Sequence, residues 1–214
     1  GEKPFRATQL IKWIYQEGEY DFDLMTNLSK SLRAYLKEHC CIVAPDIIFE
    51  QVASDGTRKW VVEMGGGNKV EAVYIPEANR ATLCVSSQVG CAMGCTFCAT
   101  GWGGFKRQLT AGEIVGQYRA SQRWAREQEY GSITNIVFMG MGEPLANRRA
   151  LPNSLTILNQ GYRVGARRIT ISTVGFVPGI VALGKRPEQF GLALSLHSPV
   201  SDLRSQLIPL ELRY

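Results

Sequence analysis

Apolar positions in residues 5–40 recur at the three-and-four spacing of amphipathic helices: Leu10, Ile11, Ile14 and Tyr15, then Leu28, Leu32 and Leu36. A break around Glu17 to Asp23 separates the two runs, and Thr26 or Asn27 is placed to cap the second. In residues 47–76, Asp55-Gly56 and Gly65-Gly66-Gly67 punctuate runs rich in Val, Ile, Trp and Tyr, which predicts a short antiparallel meander. From about Arg80 the pattern repeats as strand then helix. "ATLCVSSQ" precedes a helix near 110–127, "ITNIVFMG" one near 149–160, "RRITISTVG" one near 177–184, and "FGLALSLH" ends the series. Such alternation predicts an α/β fold of parallel β/α units, with functional groups gathered at the carboxyl ends of the strands.

The chain therefore divides into a helical accessory module (1–44), a linking meander (45–77) and an α/β core (78–214). Four β/α strands do not close a barrel, so the core is expected to be a partial (β/α) barrel. The start at Gly1 and the end at Tyr214, directly after an apolar stretch, add the expectation of a fragment truncated at its C-terminus.

Composition narrows the class. No apolar run approaches the ~20 residues that cross a bilayer, and no basic-then-apolar leader opens the chain. A cytoplasmic protein without a membrane role is expected, one that keeps its six cysteines as thiols. The net charge of +5 is uneven: residues 144–187 hold seven cations (Arg148, Arg149, Arg163, Arg167, Arg168, Lys185, Arg186) and no acid, whereas residues 1–50 hold eight acids and six bases. A local basic excess suits a polyanion such as RNA, and equally a solvated exterior.

Three of the six cysteines fall within "GCAMGCTFCATG", at Cys91, Cys95 and Cys98. A disulfide framework is disfavoured by the compartment and by the odd number. Structural zinc wants four ligands; Cys84 could be a fourth, but the paired CxxC spacing is absent. Buried structural thiols are common, yet this run lies just past a strand end and is rich in glycine. The remaining reading is an iron-sulfur cluster held by three thiolates, which leaves one iron open. Glycines at 90 and 94 would let the backbone wrap closely, with Phe97 as a shield against water.

The CxxxCxxC spacing, with an aromatic residue before its last cysteine and a strand before it, resembles the radical S-adenosylmethionine (SAM) superfamily. That resemblance implies a [4Fe-4S] cluster whose open iron is chelated by the amino and carboxylate groups of SAM. The later strand ends fit the same picture: "MGMGEP" offers glycines and one carboxylate, "ITISTVG" offers Ser172 and Thr173, and "LALSLHSP" offers Ser195 and His197. "GEKPFRATQLIKWIY", "ASDGTRKW", "VEAVYIPEANRATLCVSSQVGC", "RRITISTVG" and "LSLHSP" further resemble, in order and spacing, the RlmN-type dual-specificity RNA methyltransferases. These methylate carbon 2 of an adenosine in 23S rRNA and in certain tRNAs.

The resemblance implies a mechanism and a set of residues. Carbon 2 of adenine is electron-poor, so one SAM methylates a protein cysteine, a second is split to a radical that takes hydrogen from that methyl, and a further cysteine resolves the protein-RNA bond by forming a disulfide. Carried over, Cys91, Cys95 and Cys98 are cluster ligands; Gly142, Glu143, Ser172, Ser195, Leu196 and His197 contact SAM. Cys84 matches the resolving cysteine, and Glu71 the carboxylate that accepts the carbon 2 proton. The methyl-carrying cysteine and a cofactor-binding asparagine have no counterpart, and Cys40 and Cys41 stand in the accessory module, so the 214-residue piece is expected not to turn over by itself. Partners implied are 23S rRNA, tRNA and an electron donor such as flavodoxin or ferredoxin, with a monomer expected. The alternatives are the paralogue that methylates carbon 8, and a non-catalytic RNA-binding module with a structural metal.

Overall fold

The computed structural model describes residues 2–212. Helix α1 (Phe5–Ile11) runs on through a wider helical turn over Lys12–Glu17 and stops at Gly18, whose φ of 73° is the left-handed stop that glycine adopts freely. Helix α2 (Lys30–His39) begins at Ser29, not at Thr26 or Asn27. Residues 26 and 27 lie in the preceding turn, whereas Ser29 is extended and its hydroxyl accepts the Leu32 N–H at 3.2 Å. Phe22, Met25, Leu28 and Leu32 form the small core of this module.

The meander has the predicted order, β1 (Ile47–Val52), β2 (Arg58–Met64) and β3 (Asn68–Glu77), and β3 continues by an antiparallel pairing into β4 (Arg80–Cys84). A two-stranded ribbon follows, β5 (Gln88–Gly90) with β6 (Phe105–Gln108), and between its strands lies the short helix α3 (Ala99–Trp102). Then come α4 (Ala111–Glu127), β7 (Asn135–Phe138), α5 (Ala150–Thr156), β8 (Ile169–Thr173), α6 (Val177–Gly184), β9 (Gly191–Leu194) and α7 (Ser201–Leu207). Meander and core share one seven-stranded sheet, in the order β1-β2-β3-β4-β7-β8-β9. Strands β4, β7, β8 and β9 are parallel, as the strand-helix alternation requires.

Period-two side-chain placement decides what each face of the sheet does. Val70, Ala72 and Tyr74 of β3 and Leu83, Ile136 and Ile169 of the parallel strands are buried on the core face. On that side Trp124 of α4 meets Trp60 and Tyr74 edge-on, with centroids 5.0 and 5.6 Å apart. Each fully buried side chain of this size stabilises by roughly 1.5–3 kcal/mol. Helix α4 is started by a reciprocal cap in which Thr110 accepts the Glu113 N–H and the Glu113 carboxylate accepts the Thr110 N–H. The opposite face carries Glu71, Val73, Cys84, Val137, Thr170 and Ser172, as the pairings of Val73 with Cys84 and of Cys84 with Val137 fix. Among the described residues no helix is long and apolar enough to cross a membrane.

Candidate functional site

Past the end of β4 the chain turns polar but stays buried: Ser86, Ser87 and Gln88 are all under 2% exposed. Buried polar groups need partners, and here each has one. Gln117 of α4 accepts the Ser86 N–H at 2.8 Å and donates to the Ser86 carbonyl at 2.9 Å. The Ser86 hydroxyl donates to the Glu71 carbonyl at 2.6 Å and accepts the Met141 N–H at 2.8 Å. Asn147 donates to the carbonyls of Ser87 and Leu109 at 2.9 and 2.8 Å. Gln88 joins two loops: its carbonyl accepts the Glu143 N–H at 2.7 Å, while its amide donates to Gln108 of β6 at 2.9 Å.

The β5–β6 ribbon sets the ends of the cysteine loop. Gly90 has φ 76°, and a Cβ there would stand 1.8 Å from the Gly104 carbonyl oxygen, so only glycine permits this approach. That same carbonyl accepts the Cys91 N–H at 3.1 Å. Inside the loop, the Cys95 carbonyl accepts the Cys98 N–H at 3.1 Å, and the Thr96 N–H reaches the Leu207 carbonyl of α7 at 3.0 Å. Cys95 packs with Ile208 and Leu210 and is 6% exposed.

Cys91, Cys95 and Cys98 line one cavity of about 490 Å³ at the carboxyl ends of the parallel strands. Its other walls come from Gly142 and Glu143 after β7, Ser172 near the end of β8, and Ser195 and His197 after β9. Eight of the predicted site residues thus meet in one place. Burial is the largest cause of the raised pKa at Cys91 and Cys95, with further upward contributions from the neighbouring thiols and Glu143. Thiols in that setting are held as thiolates by a cation, so the donor set suits a soft metal centre. Among the described residues no three or more His, Cys, Asp or Glu side chains gather closely enough to cage a single ion. A four-iron cluster makes a different demand, since each thiolate binds its own iron. Three thiols around one glycine-flanked cavity fit that group.

Glu143 is 3% exposed, and burial raises its pKa above the ordinary carboxylate value. Opposing that, its two oxygens accept the N–H groups of Leu145 at 3.1 Å and Val174 at 2.9 Å. The following N–H groups of the Val174 turn, Gly175 and Phe176, are taken by the Thr173 hydroxyl at 3.1 Å each. Gly142 has φ 96°, and a Cβ there would press on Gln88 at 2.5 Å. Across the cavity the hydroxyls of Ser172 and Ser195 are 3.3 Å apart. His197 holds a left-handed backbone, φ 59°, and its ring packs on Phe97 with centroids 4.4 Å apart. Phe97 is 48% exposed, so the shielding ring stands at the rim of the cavity.

Three predicted residues do not line the cavity. Leu196 is 44% exposed, and its carbonyl accepts from Arg204. Cys84 is buried, with its thiol pushed up to about 11 by desolvation and held down only by a backbone hydrogen bond at Met139, itself a wall of the cavity. Glu71 pairs with Lys59 at 2.6 Å, each side chain 46% exposed. Cys40 and Cys41 are exposed at the end of α2. The residues that sequence reasoning missed are the positioning amides Gln88, Gln117 and Asn147. The signal available for Gln88 was "SSQ", a polar run set directly against a buried strand.

Comparison with known proteins gives this arrangement a lineage. Residues 85–207 match the family model described as the radical SAM superfamily, and residues 1–42 match that of the ribosomal RNA large subunit methyltransferase N-terminal domain. A protein of Halorhodospira halophila named dual-specificity RNA methyltransferase RlmN is 54% identical over 98% of this chain and 58% of its own length. One of the same name from Marinobacter nauticus is 48% identical over 100% of this chain and 59% of its own. The crystal structure of a radical SAM methyltransferase from Sphaerobacter thermophilus superposes with a TM-score of 0.89 at 46% identity, covering 98% of this chain and 62% of that one. The chain thus spans under two thirds of the length of these relatives. With its core matched from Val85 to Leu207, more than half of its length, the chain belongs to the radical SAM superfamily.

Proposed function

We propose that this chain is part of an enzyme that methylates carbon 2 of adenosine in 23S rRNA and tRNA. The carrying observation is the meeting of Cys91, Cys95 and Cys98 with Glu143, Ser172, Ser195 and His197 around one cavity. A [4Fe-4S] cluster bound there supplies the single electron that cleaves a sulfonium. Cys91, Cys95 and Cys98 hold it as thiolates. Glu143, fixed by Leu145, Val174 and Gln88, keeps acceptor lone pairs for the ammonium of SAM. Gly142 brings the backbone close to the same group, while Ser172, Ser195, Leu196 and His197 orient the rest of the molecule.

Glu71 takes the carbon 2 proton, and Lys59 positions its carboxylate. Cys84 resolves the protein-RNA bond as a disulfide with a second cysteine; its raised pKa keeps it a thiol until a base removes the proton. The methyl-carrying cysteine is neither Cys40 nor Cys41, both of which sit outside the cavity. The electron donor is of the flavodoxin or ferredoxin class, the protein works as a monomer, and its RNA substrates place it in the cytoplasm.

Anaerobic reconstitution with iron and sulfide is expected to give a brown protein with ~4 iron per chain that cleaves SAM on reduction. A colourless zinc protein would sink this reading. In the full-length parent, the modified nucleoside is expected to carry its methyl at carbon 2; a carbon 8 product assigns the chain to the paralogue instead.

A further inference from the structure

A second cavity, of about 450 Å³, lies at the other end of the same strands. Its walls include Ser132 to Thr134 just before β7, Val164 and Arg168 just before β8, the second half of α4, and Tyr15 to Tyr20 of the helical module. It is therefore a seam between module and core, at the amino ends of the strands and away from the cysteines. Five arginines line it, Arg119, Arg123, Arg126, Arg163 and Arg168, against the single acid Glu127. The 3.9 Å contact of Glu127 with Arg123 is partly exposed and worth little.

The cavity has a buried floor and an exposed rim. Arg119 and Gln122 form the floor, each 7% exposed. Gln122 spends its carbonyl on the Ile133 N–H at 3.0 Å, and Arg119 spends one terminal nitrogen on the Glu19 carbonyl at 3.0 Å while its guanidinium lies 3.9 Å over the Tyr20 ring. The Gln122 amide nitrogen, the Arg119 Nε and the hydroxyls of Tyr20 and Tyr162 are shielded and have no partner among the described residues. Seven such atoms occur among the described residues, so this one cavity holds four of them. A buried donor without an acceptor costs about 1–3 kcal/mol, so a cluster of them asks for a ligand rich in acceptors. Arg123, Arg126, Arg163 and Arg168 make the exposed rim. Arg163 is held there in the left-handed region, φ 61°, which a bulky residue adopts only under constraint.

We propose that this cavity binds a phosphoryl group. Guanidinium forks match a tetrahedral oxyanion bidentately, and the volume admits an ester as well as the bare group. The phosphoryl group comes either from the backbone of an RNA or from a small phosphate ester. Nothing here rests on the methyl-transfer reading, because none of these residues touches the cysteine cavity.

The test uses the reconstituted chain and its Arg123→Ala/Arg163→Ala variant, titrated calorimetrically with inorganic phosphate, a 5′-mononucleotide and a single-stranded RNA. Both substituted side chains are exposed, and unchanged iron content and SAM cleavage report that the variant folds. Affinity for a phosphate-bearing probe is expected to fall at least about tenfold in the variant. If the RNA backbone is the source, RNA binding falls with it and its salt slope drops by about 0.7 for each lost phosphate contact. If a small ester is the source, the mononucleotide and phosphate lose affinity while RNA does not. Equal affinities of wild type and variant for every probe, or no binding by the wild type, would overturn the proposal.

Discussion

Two cavities of similar size sit at opposite ends of one set of parallel strands, and they are built on opposite electrostatic plans. At the carboxyl ends, three thiols, a carboxylate and several hydroxyls face about 490 Å³, and none of the shielded, partnerless polar atoms of the described residues belongs there. At the amino ends, five arginines face about 450 Å³ with four donors unanswered. The first cavity is finished in its hydrogen bonding and suited to a centre that replaces thiol protons. The second is finished only when an acceptor arrives. The proposed function puts reactive chemistry at the end whose scaffold is already satisfied, where a group can be held rigidly before substrate enters.

The contrast can be broken first at the thiols. Cys95→Ala is expected to abolish stoichiometric iron binding and lower reductive SAM cleavage by more than about 100-fold, while phosphate binding at the amino end stays within twofold. Loss at both ends, read by iron assay and calorimetry, would mean that the cavities are not independent. Next is the frame: Gly90→Ala drives a methyl into the Gly104 carbonyl and is expected to cost about 3 kcal/mol or more in urea unfolding. An unchanged midpoint would show that the ribbon yields.

A smaller effect is expected at Glu143→Gln, which removes one charge-assisted contact. SAM affinity should fall roughly 10- to 100-fold by equilibrium binding with the iron content intact. Smallest is Glu113. Burial favours its protonated form, but the Arg107 guanidinium and Thr110 outweigh this and hold its pKa at about 2, against an ordinary 4.5. A depressed folded pKa gives stability that is present above the ordinary value and lost as pH falls toward about 2. Because the pair is partly exposed, about 1–2 kcal/mol is expected to disappear over that window. Glu113→Gln should flatten this part of the pH-stability curve, and a curve identical to wild type would discard the attribution.

Much of the carboxyl-end cavity was legible in the sequence because its chemistry lies in residue types at fixed spacing. The β/α alternation placed "MGMGEP", "ITISTVG" and "LSLHSP" at successive strand ends, where Glu143, Ser172 and Ser195 indeed meet the cysteines. The β5–β6 ribbon escaped because strands of three and four residues are too short for a period-two signal, and a register shift between Val89 and Gly90 blurs it further. The cap of α2 was misplaced by three residues at most, since Thr26, Asn27 and Ser29 are all capping types and only backbone geometry chooses among them. The amino-end cavity was legible only as a charge excess in 144–187. Arg163 and Arg168 lie in that stretch, but their companions on α4 are distant in sequence, and amphipathic periodicity says nothing of where two helical faces meet.

Gln88 couples the two halves of the cysteine-lined cavity. One side-chain amide is hinged to Gln108 on the ribbon that frames the cysteines and to Glu143 on the opposite wall, with Gly142 pressed against its stem. A displacement of the cysteine loop is felt at the carboxylate loop through this amide. Under the proposed function, a shift of the cysteine loop would therefore disturb the seat of the Glu143 carboxylate, whereas removing the carboxylate's charge alone leaves the thiols in place.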